Sequence, residues 1–423
     1  LTTSSYMSNK GYAENSAERK WNVVPSDMSL RTVNPIRRII DRMKLDPNPE
    51  LPLISLSIGD PTVFGNLIPH ENILVAVEES LRTHKHNGYA PAIGELAARK
   101  AIAEFMSTPK AHLTEKDIII TSACSGAIEI CLSTLANPGD SILIPKPGFS
   151  LYKTLGYSNG LEVKQYNLLP DCDWEVDLAH LESLIDETTK CIIVNNPSNP
   201  CGSVYSKEHL EAIISVAEKH KVLILADEIY AYSVFPGDTF YPMASLTETV
   251  PILSCCAISK RFLVPGWRLG WIQIHDRNNI LEELRSRLFD MSTRILGANT
   301  VIQGALPRIF SETPKEWFDS NMQFIKDNAT IAYNILSKVK YLKPVQPRGA
   351  MYIMVGLDKE LLDIFEDDVN FTQRLITEKS VHCLPASCFD LPGFFRIVLT
   401  VPSHLLEDAC NRIADFCEHQ EYK

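Results

Sequence analysis

Short runs of β-branched and other apolar residues alternate along the chain with helix-period patterns, and few architectures accommodate that order. The runs are Ile118-Ile119-Ile120, Ile142-Leu143-Ile144, Ile192-Ile193-Val194, Val222-Leu223-Ile224-Leu225 and Ile252-Leu253. Between them, apolar residues recur at 3- and 4-residue steps, as in Ile128, Cys131, Leu132 and Leu135. Strands that are apolar throughout are buried on both faces, so the order predicts an α/β fold: a mostly parallel sheet covered by helices. At 423 residues and 45% hydrophobic content, the chain has enough core for two domains. The large domain is expected at 71–305. A smaller α/β domain is expected at 306–423, entered through a long helix near Glu316 to Lys340. Strands are expected there near Gly349 to Met354 and Phe395 to Leu399. Residues 1–33 are expected to be a disordered tail.

Charge and cysteine usage exclude several function classes. A net charge of -11 repels nucleic-acid phosphate and anionic membrane surfaces, so no partner of either kind is expected, and any anionic ligand requires a local basic site. The eleven cysteines, Cys255-Cys256 adjacent among them, form no CxxC pair and are odd in number, which points to a reduced, cytoplasmic setting. A matrix-targeting segment already removed stays open. The eleven histidines include no HExxH, and His84-Lys85-His86 reads as a solvated turn, so no metal is expected. No apolar run is long enough to span a bilayer, and the first twenty residues lack the apolar stretch of a secretory signal.

Chemistry concentrates at the predicted strand ends. Ser259-Lys260 is followed eight residues later by Arg268 across the Pro265-Gly266 turn, pairing an amine able to form a Schiff base with a cation suited to a phosphate. Asp227 ends an apolar run, where ligand groups gather in open α/β sheets, although an N-cap would use the same residue type. Cys124 and Ser125 lie in a small-residue loop that opens a helix, a site for a phosphate or simply a capped turn. Phe149 follows another strand, as a stacking ring or as core. Asn196 precedes Pro197, as a ligand donor or as a turn former. Arg396 sits in the apolar run Phe395 to Leu399, where a guanidinium needs an anion, from either a ligand or a structural partner.

Six segments in order carry a resemblance: Ser57-Ile58-Gly59-Asp60-Pro61, Asn87-Gly88-Tyr89, Asn195 to Gly202, Asp227-Glu228-Ile229-Tyr230, Ser259-Lys260 and Gly266-Trp267-Arg268-Leu269-Gly270. Together they resemble the fold-type I, class I pyridoxal phosphate aminotransferases from about Asn34 to Phe416. The resemblance implies that Lys260 carries the cofactor and shuttles a proton, while Asp227 meets the pyridine nitrogen. It implies that Phe149 stacks on the ring and that Asn196 and Tyr230 donate to the ring oxygen. The phosphate would fall to Cys124, Ser125, Ser259, Arg268 and the neighbouring subunit's Tyr89. Gly59, Asn196 and Arg396 would take the substrate carboxylate. Residues 34–70 would pack on the small domain of a homodimer with shared sites. Ala123 and Ala257 stand where a phosphate-contacting serine is common in the family, which shifts the anchoring toward Arg268, the backbone amides and Tyr89.

The expected reaction is transamination from tyrosine to 2-oxoglutarate, at the start of tyrosine and phenylalanine catabolism. Donors such as alanine, methionine or kynurenine remain alternatives, as does carbon–sulfur β-elimination on the same cofactor. A protein of this fold that only binds ligand would have no use for the amine of Lys260. Arg294 is a possible partner for a distal carboxylate, but its helix, with Arg285 and Arg287, reads as a solvated face.

Overall fold

The computed structural model describes residues 21, 23–43 and 46–419. The tail expected at 1–33 falls largely outside these residues, although Asp27–Arg31 within it forms a short helix capped by Ser26. Among the described residues, no helix is long and apolar enough to cross a membrane.

Eight strands form one sheet in the order Ile118–Thr121, Gly270–His275, Ile252–Ala257, Leu223–Asp227, Thr189–Asn195, Ser141–Lys146, Glu162–Leu169, Glu175–Val176. The five from Ile252–Ala257 to Glu162–Leu169 are mutually parallel. Gly270–His275 runs antiparallel to both its neighbours, and Glu175–Val176 is an antiparallel edge. Every residue of Ile118–Thr121, Leu223–Asp227 and Ile252–Ala257 is buried. That burial is why those segments read as continuous apolar runs. The sequence pattern missed Gly270–His275 and Glu162–Leu169. The first contains Gln273 and begins with glycine; the second lies next to the edge and exposes Glu162, Asn167 and Leu169.

Helices cover both faces. Ala123–Leu135 buries Ala127, Ile128, Cys131 and Leu132 against the sheet. Lys207–His220 is started by the Ser206 side chain, which accepts the His209 N–H, and stops where Lys221 turns left-handed at φ 56°. A second sheet, antiparallel, has the order Leu342–Val345, Tyr352–Leu357, Phe394–Val398, Leu384–Pro385. It packs with helices Lys315–Leu336, Asp368–Lys379 and Ser403–Glu418 around Ile353, Phe371, Phe395, Ile413 and Phe416. The long helix ends at Leu336, before the turn that leads into Leu342–Val345. Ile54–Ser55 pairs in parallel with Val381–His382, joining the early segment to this second unit. The carboxyl ends of the large sheet therefore face the second sheet across a cleft.

Candidate active site

The cleft is a cavity of about 640 Å³. Gly59, Cys124, Ser125, Phe149, Asp227, Tyr230, Lys260 and Arg396, all expected from the sequence, line it. Asp227 comes from the end of its strand and is fully buried. Its carboxylate accepts the Tyr152 hydroxyl at 2.5 Å, the Ile229 N–H at 3.2 Å and the Cys124 thiol at 3.5 Å. Burial raises its pKa, these donors pull it down, and no cation among the described residues offsets the charge. A buried carboxylate without a counter-charge suits a cationic ligand atom.

Lys260 follows the Ile252–Ala257 strand, and its Nζ donates to the Gly59 carbonyl at 2.6 Å. Gly59 itself has no room for a side chain: a Cβ there would lie 2.6 Å from the Tyr352 hydroxyl oxygen. That hydroxyl is 2.7 Å from the hydroxyl of Tyr230. Across the cavity, Arg396 on Phe394–Val398 is 4% exposed. Its Nη1 donates to Asn199 Oδ1 at 2.8 Å and its Nη2 to the Ser57 carbonyl at 2.7 Å. The guanidinium lies 4.4 Å from the Tyr352 ring centre and 5.0 Å from that of Phe389, while Nε has no partner. Desolvation lowers its pKa, and no acid among the described residues pairs with it, so it suits a ligand anion rather than a structural ion pair.

The end of the Ala123–Leu135 helix nearest Asp227 is built for an anion. Ser122 at its N-cap makes no side-chain hydrogen bond to the first turn, which leaves backbone N–H groups available beside Cys124 and Ser125. Arg268, held left-handed at φ 53°, donates to Ser125 Oγ at 3.1 Å and to the Pro265 carbonyl at 3.0 Å. Gly270 lets its strand approach this loop: a Cβ there would sit 2.4 Å from the Ala123 carbonyl carbon and 2.6 Å from the Cys124 nitrogen.

Arg268, though bonded to Ser125, stays outside the cavity lining, and three further expected residues lie elsewhere. Asn196 is buried outside the cavity lining; its Oδ1 accepts the Tyr205 N–H at 2.9 Å and its Nδ2 has no partner. Its neighbours supply the site instead. Asn199 meets Arg396, and Asn195 Nδ2 donates to the Asp227 carbonyl at 3.0 Å. The run Asn195-Asn196-Pro197-Ser198-Asn199 offers three candidates of one type, and only the path of the chain chooses among them. Ser259 is buried behind the lining. Tyr89 is 93% exposed and borders a separate surface hollow with Leu296 and Gly297. Arg294 lies in the exposed turn Thr293–Ile295, also outside the lining. Sequence reasoning missed Tyr152, Tyr352, His382 and the wall formed by Ile36, Arg37 and Ile40 on helix Pro35–Ile40. The Asn34-Pro35 helix start was a signal for that wall, since a capping asparagine before proline opens a helix.

The model for aminotransferases of class I and II matches residues 52–413. The chain belongs to the class I and II aminotransferase family. Relatives of this aminotransferase include the tyrosine aminotransferase of Mus musculus, 57% identical over 94% of this chain and 88% of the relative. The tyrosine aminotransferase of Dictyostelium discoideum is 47% identical over 97% of this chain and all of its own. Among solved structures, the tyrosine aminotransferase of Leishmania infantum superposes with a TM-score of 0.92 at 31% identity, covering 96% of this aminotransferase and 100% of its own chain.

Proposed function

We propose that this aminotransferase moves the α-amino group of L-tyrosine to 2-oxoglutarate on pyridoxal phosphate, giving 4-hydroxyphenylpyruvate and L-glutamate. One observation carries the proposal: a single cavity presents the Lys260 amine, the Asp227 carboxylate without a counter-charge and the Arg396 guanidinium without an acid. These match, in turn, an aldehyde, a ring N–H⁺ and an α-carboxylate. Relatives named for tyrosine support the donor.

Pyridoxal phosphate, when bound, supplies the aldehyde that takes up the amino group and a ring that accepts electron density from Cα. Lys260 would hold the cofactor through its amine and would serve as the base that takes the proton from Cα onto Nζ. Asp227 would hold a proton on the ring nitrogen. Phe149 would offer its ring face to the cofactor and Tyr230 would offer its hydroxyl as a donor, both from the cavity lining. The amides beside Cys124 and Ser125, with Arg268, would hold the phosphate. Arg396, braced by Asn199, fixes the α-carboxylate, so the Cα–H bond is presented to Lys260.

The same proposal places a large cofactor domain at 71–305, a small domain at 306–423 and the connecting segment 34–70 against the latter. It also places the enzyme in the cytoplasm as a homodimer, at the head of tyrosine breakdown. The test is kcat/KM for tyrosine, phenylalanine, methionine, alanine and kynurenine with 2-oxoglutarate. Tyrosine is expected to lead, with phenylalanine a poorer donor, because an apolar wall discriminates by only about 1 to 3 kcal/mol per group. A tenfold lead for alanine or kynurenine would overturn the donor, and release of ammonia and pyruvate from a cysteine conjugate in place of a new amino acid would overturn the reaction.

A further inference from the structure

Both oxygens of Asp227 are engaged by the protein alone. The shortest contact comes from Tyr152, which is 0% exposed and sits on helix Leu151–Ser158, three residues beyond Phe149. The two rings meet edge to face at 5.8 Å and 90°, so packing against Phe149 fixes where the hydroxyl points. The other titratable groups facing Asp227 are Cys124 on Ala123–Leu135, Cys255 and Cys256 on Ile252–Ala257, and Glu228 and Tyr230 just after its own strand. All are thiols, phenols or another acid, and none is a cation.

Burial by itself favours a neutral Asp227. The Tyr152 hydroxyl opposes that. Its own ionisation is suppressed by burial and by the adjacent carboxylate, so it remains a donor throughout the working pH range. A donor at 2.5 Å stabilises the charged acceptor far more than the neutral acid. The Cys124 thiol, at 3.5 Å, is a weaker second donor.

We propose that Tyr152 is a positioning residue that keeps Asp227 as a carboxylate aimed at the pyridine nitrogen before the cofactor arrives. The inference rests on the proposed use of pyridoxal phosphate. One proton is shared between Asp227 and the ring nitrogen in the loaded protein. With Tyr152 present, that proton comes from solvent or from the ligand; without the hydroxyl, Asp227 is already an acid and supplies the proton itself. No other bond changes.

The experiment measures protons exchanged when the cofactor-stripped full chain binds pyridoxal phosphate, from calorimetric heats in buffers of different ionisation enthalpy between pH 5 and 9. In Tyr152→Phe, the pH at which proton uptake changes over should move up by at least about one unit, a tenfold change in the acid constant. Melting temperature and circular dichroism should stay near wild type, since only a hydroxyl is lost. Asp227→Asn should abolish the step, and adding Tyr152→Phe to it should move nothing. A Tyr152→Phe curve that superimposes on wild type, or a shift that persists in the Asp227→Asn background, would overturn the proposal. Wild-type protein that fails to bind pyridoxal phosphate would instead sink the proposed function, and this inference with it.

Discussion

Lys260, half-buried, and Glu228, fully buried, show how one fold handles two kinds of ionisable group. Lys260 points into the cavity and touches a carbonyl, not an acid. Lys260→Ala should therefore cost little stability while lowering kcat at least about a thousandfold, because covalent holder and proton carrier vanish together. The check is kcat beside melting temperature on the same sample, with borohydride reduction labelling Lys260 in the wild type. Glu228 is fully buried behind the site, and desolvation pushes its pKa up to about 7 from 4.5, against the Met243 N–H at 3.0 Å. The folded state thus prefers the protonated acid. Stability should be highest with Glu228 protonated and should fall, by up to about 3 kcal/mol, as pH rises from near the ordinary glutamate value through 7. Denaturant titrations across that window should show a shallower decline for Glu228→Gln, with the same-signed contribution of Asp227 remaining. Both residues were visible in the Asp-Glu-Ile-Tyr and Ser-Lys segments. Tyr152 was passed over because nothing in Gly-Phe-Ser-Leu-Tyr says which ring reaches the carboxylate.

The strand Phe394–Val398 carries a charge into a core, and Met354 pairs opposite Arg396 in the register. The strand tolerates the guanidinium because two aromatic faces, an amide and a carbonyl surround it. Lysine at this position would keep the charge and lose the fork. Arg396→Lys should raise KM for tyrosine and for glutamate together by about 10- to 100-fold, the worth of a charged hydrogen bond. A rise for one substrate alone would mean that Arg396 does not hold the group the two share. Four of the five parallel strands were legible because burial on both faces writes itself as unbroken apolar residues; the fifth, Glu162–Leu169, exposes part of its length and was not. Gly270–His275 was not, since its antiparallel direction follows from the Pro265-Gly266-Trp267 turn and the neighbours it meets. Asn199 belongs with it: an asparagine in a proline-rich turn has no periodicity to reveal its direction.

At the scale of the whole molecule, the exposed Tyr89, beside Ile295 and Leu296 at 55% and 62% exposure, is the place where the proposed dimer would complete each site. Mixing inactive Lys260→Ala with inactive Tyr89→Ala should restore up to about a quarter of wild-type activity. Half of a random mixture is hybrid dimers, each with one site free of both changes. Full activity in a protein shown by sedimentation to be monomeric would sink the shared site. By itself the sequence determined the sheet class, the family and most of the cavity's chemistry, because apolar runs, turns and short motifs are local properties that neighbouring residues impose. Only the tertiary structure decided that Asn199 and not Asn196 faces Arg396, that Tyr152 holds Asp227, and that helix Pro35–Ile40 walls the site. Each of these is a meeting of side chains far apart in the chain, and direction in space is set by packing, which no local pattern records.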